Sequence, residues 1–380
     1  MTINKCRVCG NEFFEEPLLK YNNMPSIAQN LPDARSLEND RGTELEICQC
    51  SGCGLVQLNN EPVPYYKEVI RASAFSEEMK DFRVRQFQSL VEKYSLKGKK
   101  IIEIGCGKGE YLAIMQQHGI EAYGLEQAVE SVEQCVKQGL RVSRGFVQSK
   151  RDRIKGAPFD AFFILNFLEH LPDPNSTLRG IRNNLADDAV GIVEVPNFDM
   201  ILQKKLFSEF TRDHLCYFTK DTLNTALRQN GFESIKCNEI WHDYILSAIV
   251  TKSRKLDLSQ FYRYQLKIKN EIEKYINGFG GKGVAIWGAG HQALAIISMM
   301  DLANKIKYVV DSAPFKQGKY TPATHIPIVS PDRLESDPVD SVIVMAASYS
   351  DEVARNIKQK YGNKMNIAIL GKKGLVEFVS

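Results

Sequence analysis

The chain contains 380 residues, 43% of them hydrophobic and 25% charged, a composition typical of globular proteins with two or three domains. The formal net charge of +3 gives no sign of the clustered basic face that nucleic-acid binding requires. No segment approaches the roughly 18 consecutive apolar residues of a membrane helix, and the N-terminus lacks the apolar core of a signal peptide. We therefore expect a cytoplasmic protein with neither nucleic acid nor membrane as a partner.

Two C-x-x-C pairs lie near the N-terminus, Cys6 with Cys9 and Cys50 with Cys53. Four thiolates at this spacing can converge tetrahedrally on one zinc ion, which would tie together a segment with little core of its own. Because four protein ligands leave no open position, such an ion would be structural. The alternative is that the four thiols are reduced and packed separately. We expect residues 1–62 to form a zinc-binding N-terminal domain.

The rest of the chain predicts two α/β regions. Strand-like apolar runs alternate with helical patterns and lie at residues 100–104, 121–125, 161–165 and 190–195. A second alternation includes the runs at residues 283–287, 306–310, 341–345 and 367–370. Such alternation is typical of parallel sheets with helices on both faces. We expect an α/β fold with a Rossmann-like domain over residues 63–255 and a second Rossmann-like α/β domain over residues 256–380.

The most specific motif in the sequence reads Glu-Ile-Gly-Cys-Gly-Lys-Gly and begins at Glu103, at the end of the first run. Gly105, Cys106 and Gly107 turn the chain from this strand into a helix, and glycine lets the backbone adopt positive φ and approach a ligand closely. The next strand ends at Glu126, about 20 residues after the turn, where a carboxylate can accept hydrogen bonds from a ribose diol. This arrangement predicts a nucleoside-binding site.

Two cofactors compete for this site. A dinucleotide such as NAD is the natural alternative, but Glu103 lies where its pyrophosphate would be repelled. S-adenosylmethionine carries a sulfonium and an amino group instead, and nearby carboxylates favour both. The later segment Asn-Phe-Leu-Glu-His-Leu-Pro, from Asn166 to Pro172, resembles the end of the fourth strand in class I S-adenosylmethionine-dependent methyltransferases. The sequence therefore predicts this cofactor and a class I methyltransferase core over residues 63–255.

The class I resemblance implies cofactor contacts for particular residues. The methionine part and the ribose would be bordered by Glu103, Gly105, Cys106, Gly107 and Glu126. Gln127 and the region of Phe146 would lie beside the adenine. Asn166 would lie under the cofactor, near the reacting methyl group.

Together, the cysteine-rich segment, the methyltransferase core and the C-terminal α/β region resemble one family across essentially the whole chain. This family is the three-domain sugar-nucleotide C-methyltransferases of deoxysugar biosynthesis, which act on 4-keto hexoses linked to a nucleoside diphosphate. The motifs that carry the resemblance are the four cysteines and residues 103–109, 169–170, 194–197, 213–218, 308–318 and 324–328. The resemblance implies a nucleoside-diphosphate sugar as the substrate and a C-terminal domain that contacts it.

Methylation of such a carbon requires an enolate, which forms when a base removes the C–H proton beside the ketone. An imidazole, with an unperturbed pKa near ~6.5, is neutral often enough to serve as this base. We expect His214, preceded by Asp213, to be the base, and His170 to be the oxyanion partner or a second proton carrier. The alternative is that Asp213 and His214 merely precede a helix, because Thr219 and Thr222 form a helix-cap pattern.

The sequence departs from the family at two places. Where these enzymes often read Tyr-His-Glu-His, this chain reads Thr-Arg-Asp-His from Thr211, and in the C-terminal domain His291 and Gln292 interrupt the usual Gly-Ala-x-x-Lys-Gly. The ring position and the choice of carbon or oxygen as acceptor therefore stay open. The alternatives are O- or N-methylation of another small metabolite, a dehydrogenase built on a second glycine turn, and a zinc-ribbon nucleic-acid-binding protein. The near-neutral charge disfavours the last of these.

Overall fold

The computed structural model describes residues 3–28, 31–68, 76–281 and 283–379. The chain divides into two compact units, Met1–Arg254 and Lys255–Ser380. The first unit contains both the cysteine-rich segment and the glycine turn. Within the described ranges, none of the helices combines the length and the apolar character that a bilayer crossing requires.

The first unit is built on two sheets. Its strands in the described residues are β1 (Leu19–Met24), β2 (Thr43–Gln49), β3 (Val56–Leu58), β4 (Lys100–Ile104), β5 (Glu121–Glu126), β6 (Val142–Arg144), β7 (Phe159–Leu165), β8 (Leu185–Pro196), β9 (Cys216–Tyr217), β10 (Phe232–Ile240) and β11 (Ile245–Lys252). Its α-helices are α1 (Glu77–Lys93), α2 (Glu110–Gln116), α3 (Val129–Lys137), α4 (Pro174–Arg182), α5 (Phe198–Lys204) and α6 (Lys220–Gln229).

The larger sheet has seven strands in the order β10-β11-β8-β7-β4-β5-β6. The pairs from β8 through β6 are parallel, whereas β11 pairs antiparallel with both β8 and β10. Strand β4 lies between β5 and β7, so the strand order reverses beside it. In open α/β sheets, ligands bind at the carboxyl ends of the strands next to such a reversal. The glycine turn that follows β4 lies at this position.

Local sequence explains where the helices around this edge begin. Asp173 caps α4 by accepting a hydrogen bond from the backbone N–H of Ser176 at 2.9 Å, and Pro174 occupies the first helical turn. Thr219 and Thr222 form a capping box at the start of α6, which confirms the predicted cap. Helix α6 therefore starts after the segment that contains His214, and this segment is left outside the helix.

The smaller sheet has four strands in the order β1-β2-β3-β9. Three of them come from the N-terminal segment, and β9 comes from the segment that follows His214. In the antiparallel pair β3–β9, Val56 lies opposite Tyr217 and Gln57 lies opposite Cys216. This pairing connects the cysteine-rich segment to the His214 segment, although the two are far apart in sequence.

The second unit is another α/β fold. Its described strands are β12 (Val284–Trp287), β13 (Val309–Val310), β14 (Ile328–Val329), β15 (Ser341–Val344), β16 (Asn366–Gly371) and β17 (Gly374–Glu377). Its α-helices are α7 (Ser259–Asn277), α8 (His291–Met299), α9 (Arg333–Ser336) and α10 (Ser350–Tyr361). The sheet order is β14-β13-β12-β15-β16-β17, parallel except for the β16–β17 pair. The predicted α/β class, with two sheet-containing regions, is confirmed.

Candidate active site

The glycine turn after β4 has a backbone that few other residues could adopt. Gly105, Gly107 and Gly109 have φ angles of 70°, 55° and 84°, all in the left-handed region. On the adjacent strand, a Cβ atom added to Gly124 would lie 2.6 Å from Cys106 Sγ. The turn is therefore buried and packed closely against β5.

Glu126, at the end of β5, lies directly against this turn and is 1% exposed. Its Oε2 accepts a hydrogen bond from the N–H of Gly107 at 2.9 Å. Its Oε1 accepts from the N–H groups of Gln127 at 2.8 Å and Ala128 at 2.9 Å. These donors hold the carboxylate rigidly at the position predicted for ribose binding. Glu103, near the end of β4 at the same edge of the sheet, is also buried.

Aromatic rings lie beside the predicted adenine region. Phe146 makes edge-to-face contacts with Tyr66 and Phe167, with ring centroids 6.0 and 6.1 Å apart.

Asn166 adopts a positive φ of 51°, and its N–H donates to Glu194 O at 2.9 Å. Its buried Oδ1 has no hydrogen-bond partner among the described residues. The amide oxygen is thus available to a ligand.

A cavity of about 540 Å³ opens at this edge of the sheet. Its lining combines aromatic side chains with polar and acidic groups, as small-molecule sites often do. The lining includes Ala28, Tyr65, Tyr66, Tyr111, Asn166, Phe167, Glu169, His170, Thr211, Asp213, His214, Trp241 and Tyr244. The three residues predicted to be catalytic are therefore brought to one cavity together with Asn166, although they lie in two separate segments.

The two histidines in the cavity pack against each other. The ring centroids of His170 and His214 are 4.8 Å apart, at an interplanar angle of 80°. His170 Nδ1 lies 2.9 Å from the backbone oxygen of Asp213. Because a carbonyl oxygen can only accept, Nδ1 carries the proton, and in the neutral ring Nε2 carries the lone pair. Nε2 lies 3.8 Å from Glu169 Oε1.

Burial shifts the pKa values of His214, His170 and Glu169. It lowers the pKa of His214 to about 3, with a further contribution from the neighbouring His170. It also lowers the pKa of His170, whose hydrogen bond to Asp213 acts in the opposite direction. Burial raises the pKa of Glu169 to about 8. At neutral pH both imidazoles are therefore unprotonated.

Two residues that donate hydrogen bonds to Asp213 in the cavity were not found from the sequence. Tyr65 donates a hydrogen bond to the Asp213 carboxylate, with its hydroxyl 3.1 Å from each oxygen, and Ala28 N–H donates to Oδ1 at 3.2 Å. Ala28 lies between β1 and β2, and Tyr65 follows β3. The only signal in the sequence is a pair of adjacent tyrosines after Pro64 that fits no apolar periodicity. Tyr65 supplies a phenol beside Asp213, close to where Thr211 replaces the tyrosine of the resembling family.

A buried ion pair packs against Tyr111, one of the residues that line the cavity. Arg83 Nη1 lies 2.6 Å from Glu194 Oε2, and both side chains are fully buried. Glu194 Oε1 also accepts from Gln86 Nε2 at 2.6 Å and Ser247 Oγ at 2.9 Å. The Arg83 guanidinium lies 4.7 Å from the ring centroid of Tyr111, which lines the cavity. The pair therefore connects α1, β8 and β11 under the cavity floor.

The four N-terminal cysteines form one cluster whose sulfur atoms all lie within 4.8 Å of one another. Cys6 and Cys53 Sγ are 3.6 Å apart, and Cys9 and Cys50 Sγ are 3.3 Å apart. Tetrahedral thiolates at about 2.3 Å from a zinc ion are separated by similar distances. Backbone N–H groups of Val8 and Cys9 donate to Cys6 Sγ, as those of Gly52 and Cys53 do to Cys50 Sγ. The donor set fits a zinc ion.

The second glycine turn, in the C-terminal unit, follows β12. Gly288 has φ 119°, and a Cβ there would lie 2.7 Å from Met345 O. The acid at the end of the next strand, Asp311, accepts from Ala289 N–H at 2.7 Å and from Lys316 Nζ at 2.9 Å. Lys316 is thus paired with an acid of its own unit.

Comparisons with known proteins match the two units separately. Residues 74–236 match the family described as "Methyltransferase domain", and residues 252–369 match "C-methyltransferase C-terminal domain". The C-methyltransferase NovU of Streptomyces niveus is 23% identical over 94% of this chain and 93% of its own length. A ubiquinone biosynthesis O-methyltransferase of Stutzerimonas stutzeri is 34% identical over 23% of this chain and 40% of its length. A solved S-adenosylmethionine-dependent methyltransferase from Clostridium acetobutylicum is 12% identical and covers 50% of this chain and 96% of its own, with a TM-score of 0.39.

The glycine turn, its acids and the matched domain define the class of protein: the chain is an S-adenosylmethionine-dependent methyltransferase. Within this class it is a homologue of C-methyltransferase NovU, and it carries the C-terminal domain named for C-methyltransferases. The predicted family resemblance is confirmed.

Proposed function

We propose that this protein methylates a carbon atom beside the ketone of a 4-keto sugar linked to a nucleoside diphosphate. The observation that carries the proposal is the pair of imidazoles, His170 and His214, in the wall of a cavity that also contains Asn166. O-methylation requires a base that removes a hydroxyl proton, whereas C-methylation requires a base that removes a carbon-bound proton. The homology to a C-methyltransferase over nearly the full chain supports the carbon acceptor.

The residues at the strand ends fit the cofactor. Glu126 is held by three backbone N–H groups and faces the glycine turn, so we assign it to the ribose hydroxyls. Glu103 is buried at the same edge, where a carboxylate favours the positive charge of the amino acid part. We assign Gln127 and Phe146 to the adenine, and the buried Asn166 amide to the methionine end. S-adenosylmethionine supplies an electrophilic methyl group on its sulfonium.

For the substrate, we assign the proton removal to His214. Burial lowers the pKa of His214 to about 3, so its ring is neutral and its lone pair is available at physiological pH. His170 Nδ1 donates to Asp213 O, which leaves the lone pair of Nε2 inside the cavity. This geometry favours His170 as the second proton carrier over a donor to the oxyanion. Tyr65, through its hydrogen bond to Asp213, holds the segment that carries His214.

We propose that the cysteine cluster binds one structural zinc ion. Cys6, Cys9, Cys50 and Cys53 supply four thiolates, and the surrounding backbone N–H groups would neutralise part of their charge. The zinc-binding part, residues 1–62, would then hold Tyr65 in place. We further propose that residues 63–255 bind the cofactor, that residues 256–380 contact the sugar nucleotide, and that the protein acts in the cytoplasm.

The test is methyl transfer from labelled S-adenosylmethionine to a panel of 4-keto sugar nucleotides. We expect a product with a new carbon–carbon bond, and exchange of the substrate C–H for solvent deuterium in the absence of cofactor. His214→Asn should abolish both the exchange and the transfer while cofactor affinity is unchanged. His242→Asn, which removes an exposed imidazole, is the matched control and should behave as the unsubstituted protein.

Products methylated on oxygen or nitrogen would contradict the proposal and favour the alternative acceptors. Full activity of His214→Asn would remove this residue from the base role. Steeply salt-dependent retention on a polyanion resin, with no transfer to any sugar nucleotide, would instead support the nucleic-acid-binding alternative.

A further inference from the structure

Three side chains in the cavity wall bring potential metal ligands together, away from the four cysteines. Glu169, His170 and His214 each offer one ligand atom, and these atoms all lie within 4.8 Å of one another. Glu169 Oε1 and His170 Nε2 are 3.8 Å apart. Ligands bound at about 2.1 Å from one ion are separated by roughly 3–3.5 Å, so small side-chain rotations would suffice to close this set around an ion.

The orientation of His170 is the one that a metal ligand requires. Its Nδ1–H donates to Asp213 O at 2.9 Å, so the lone pair of Nε2 is directed toward the carboxyl group of Glu169. Ligating histidines in proteins almost always donate their other ring N–H to a carbonyl or carboxylate, which fixes the tautomer. The tautomer and the ring position are thus set without any bound ion.

Two oxygen atoms of the same cavity lack partners. Glu169 is 1% exposed, and its Oε2 has no hydrogen-bond partner among the described residues. Asn166 Oδ1 is likewise buried and unpartnered within the part of the chain that the structure describes. Both residues line the cavity. Because a buried polar oxygen without a partner is energetically unfavourable, these two oxygens in one cavity wall are acceptors that a bound ligand can satisfy.

We propose that Glu169, His170 and His214 form a second metal site, which binds a divalent first-row transition ion such as Zn²⁺ or Co²⁺. Two imidazoles and one carboxylate are a donor set that binds these ions and leaves coordination positions open. The open positions face the cavity, where the Asn166 oxygen or a substrate oxygen can occupy them. The four-thiolate cluster, in contrast, has no open position.

Occupation of this site has a consequence that rests on the proposed function. The lone pair with which His214 would remove the substrate proton becomes a bond to the metal. A bound ion therefore inhibits proton removal and methyl transfer, and a chelator that strips only this weaker site restores them. The binding itself does not depend on which substrate the protein methylates.

The test uses the full-length protein with its cysteine cluster loaded with zinc. Added Co²⁺ should bind with a stoichiometry of about one further ion per chain and give the weak visible absorption of nitrogen and oxygen ligands, without thiolate charge-transfer bands. Glu169→Gln and His170→Asn should each weaken this binding by about 10-fold or more. His242→Asn should leave it unchanged.

Absence of further Co²⁺ binding, or equal binding by Glu169→Gln and the unsubstituted protein, would overturn the proposed site. Absorption that shows thiolate coordination would place the ion on the cysteines and would also overturn it. Because these measurements contain no sugar nucleotide, they can fail while methyl transfer succeeds, and they can succeed while every tested substrate is rejected. The two proposals are therefore tested separately.

Discussion

Substitution of Glu126 by Gln tests the cofactor site directly. In the structure, Oε1 of this carboxylate accepts from the N–H groups of Gln127 and Ala128, and Oε2 accepts from Gly107 N–H. The amide oxygen of Gln can keep the first two hydrogen bonds. The amide nitrogen then faces Gly107 N–H, so that two donors oppose each other and the glycine turn loses its acceptor.

The expected cost follows from these contacts. Loss of a hydrogen bond to a charged group costs about 1.5–3 kcal/mol. The same substitution removes the negative charge that we assign to the ribose hydroxyls, so the loss appears mainly in cofactor affinity. We expect the dissociation constant for S-adenosylhomocysteine to increase about 10- to 150-fold.

Isothermal titration calorimetry measures this constant. Glu130→Gln is the matched control, because it removes the same charge from an exposed position four residues further along. It should bind S-adenosylhomocysteine as the unsubstituted protein does. An unaltered affinity of Glu126→Gln, in a protein whose circular dichroism shows it to be folded, would refute the ribose assignment.

Three further predictions concern the zinc cluster, the buried ion pair and the phenol in the cavity. Cys53→Ser should reduce the zinc content, measured by atomic emission, from about one ion per chain to none; unchanged content would refute the site. Arg83→Met should lower the free energy of unfolding by roughly 3–5 kcal/mol, because it leaves the Glu194 charge buried, and Arg83→Met with Glu194→Gln should recover part of the loss in denaturant titrations. This reasoning is wrong if the double variant loses as much free energy of unfolding as the Arg83→Met and Glu194→Gln single variants lose in total. Tyr65→Phe removes the hydrogen bond to Asp213 and should lower kcat about tenfold with unchanged cofactor affinity; an unchanged kcat would show that the phenol is not needed.

The glycine turn and the position of Glu126 beside it were predictable from the sequence because their constraints are local. Gly105 and Gly107 turn a buried strand into a helix, and the positive φ that this turn requires is itself a property of glycine. Glu126 follows at the end of the next parallel strand, and neighbouring parallel strands bring their carboxyl ends to one edge. The alternation of apolar runs and helical patterns predicted both α/β units, because this alternation is also a local property of the sequence.

The geometry of the candidate catalytic residues, in contrast, depends on contacts between distant segments. His170 and His214 are predicted from motifs, but only the folded chain shows their rings 4.8 Å apart and the Nδ1 proton of His170 on Asp213 O. Their low pKa values result from burial, which periodicity alone does not reveal. Tyr65 could not be predicted, because it reaches Asp213 through a sheet that pairs the N-terminal segment with a strand beyond His214.

The amino-acid sequence by itself thus determined the two α/β units, the glycine turn and the two C-x-x-C pairs, each of which depends on residues that are close in sequence or on the period of the pattern. Tertiary structure alone decided the contents of the cavity. Its wall combines Tyr65, Glu169 and Thr211, from three segments of the chain, and the burial of Glu169 without a partner for one oxygen arises only when these segments pack together. Packing sets burial, and burial sets which lone pairs and protons are available for chemistry.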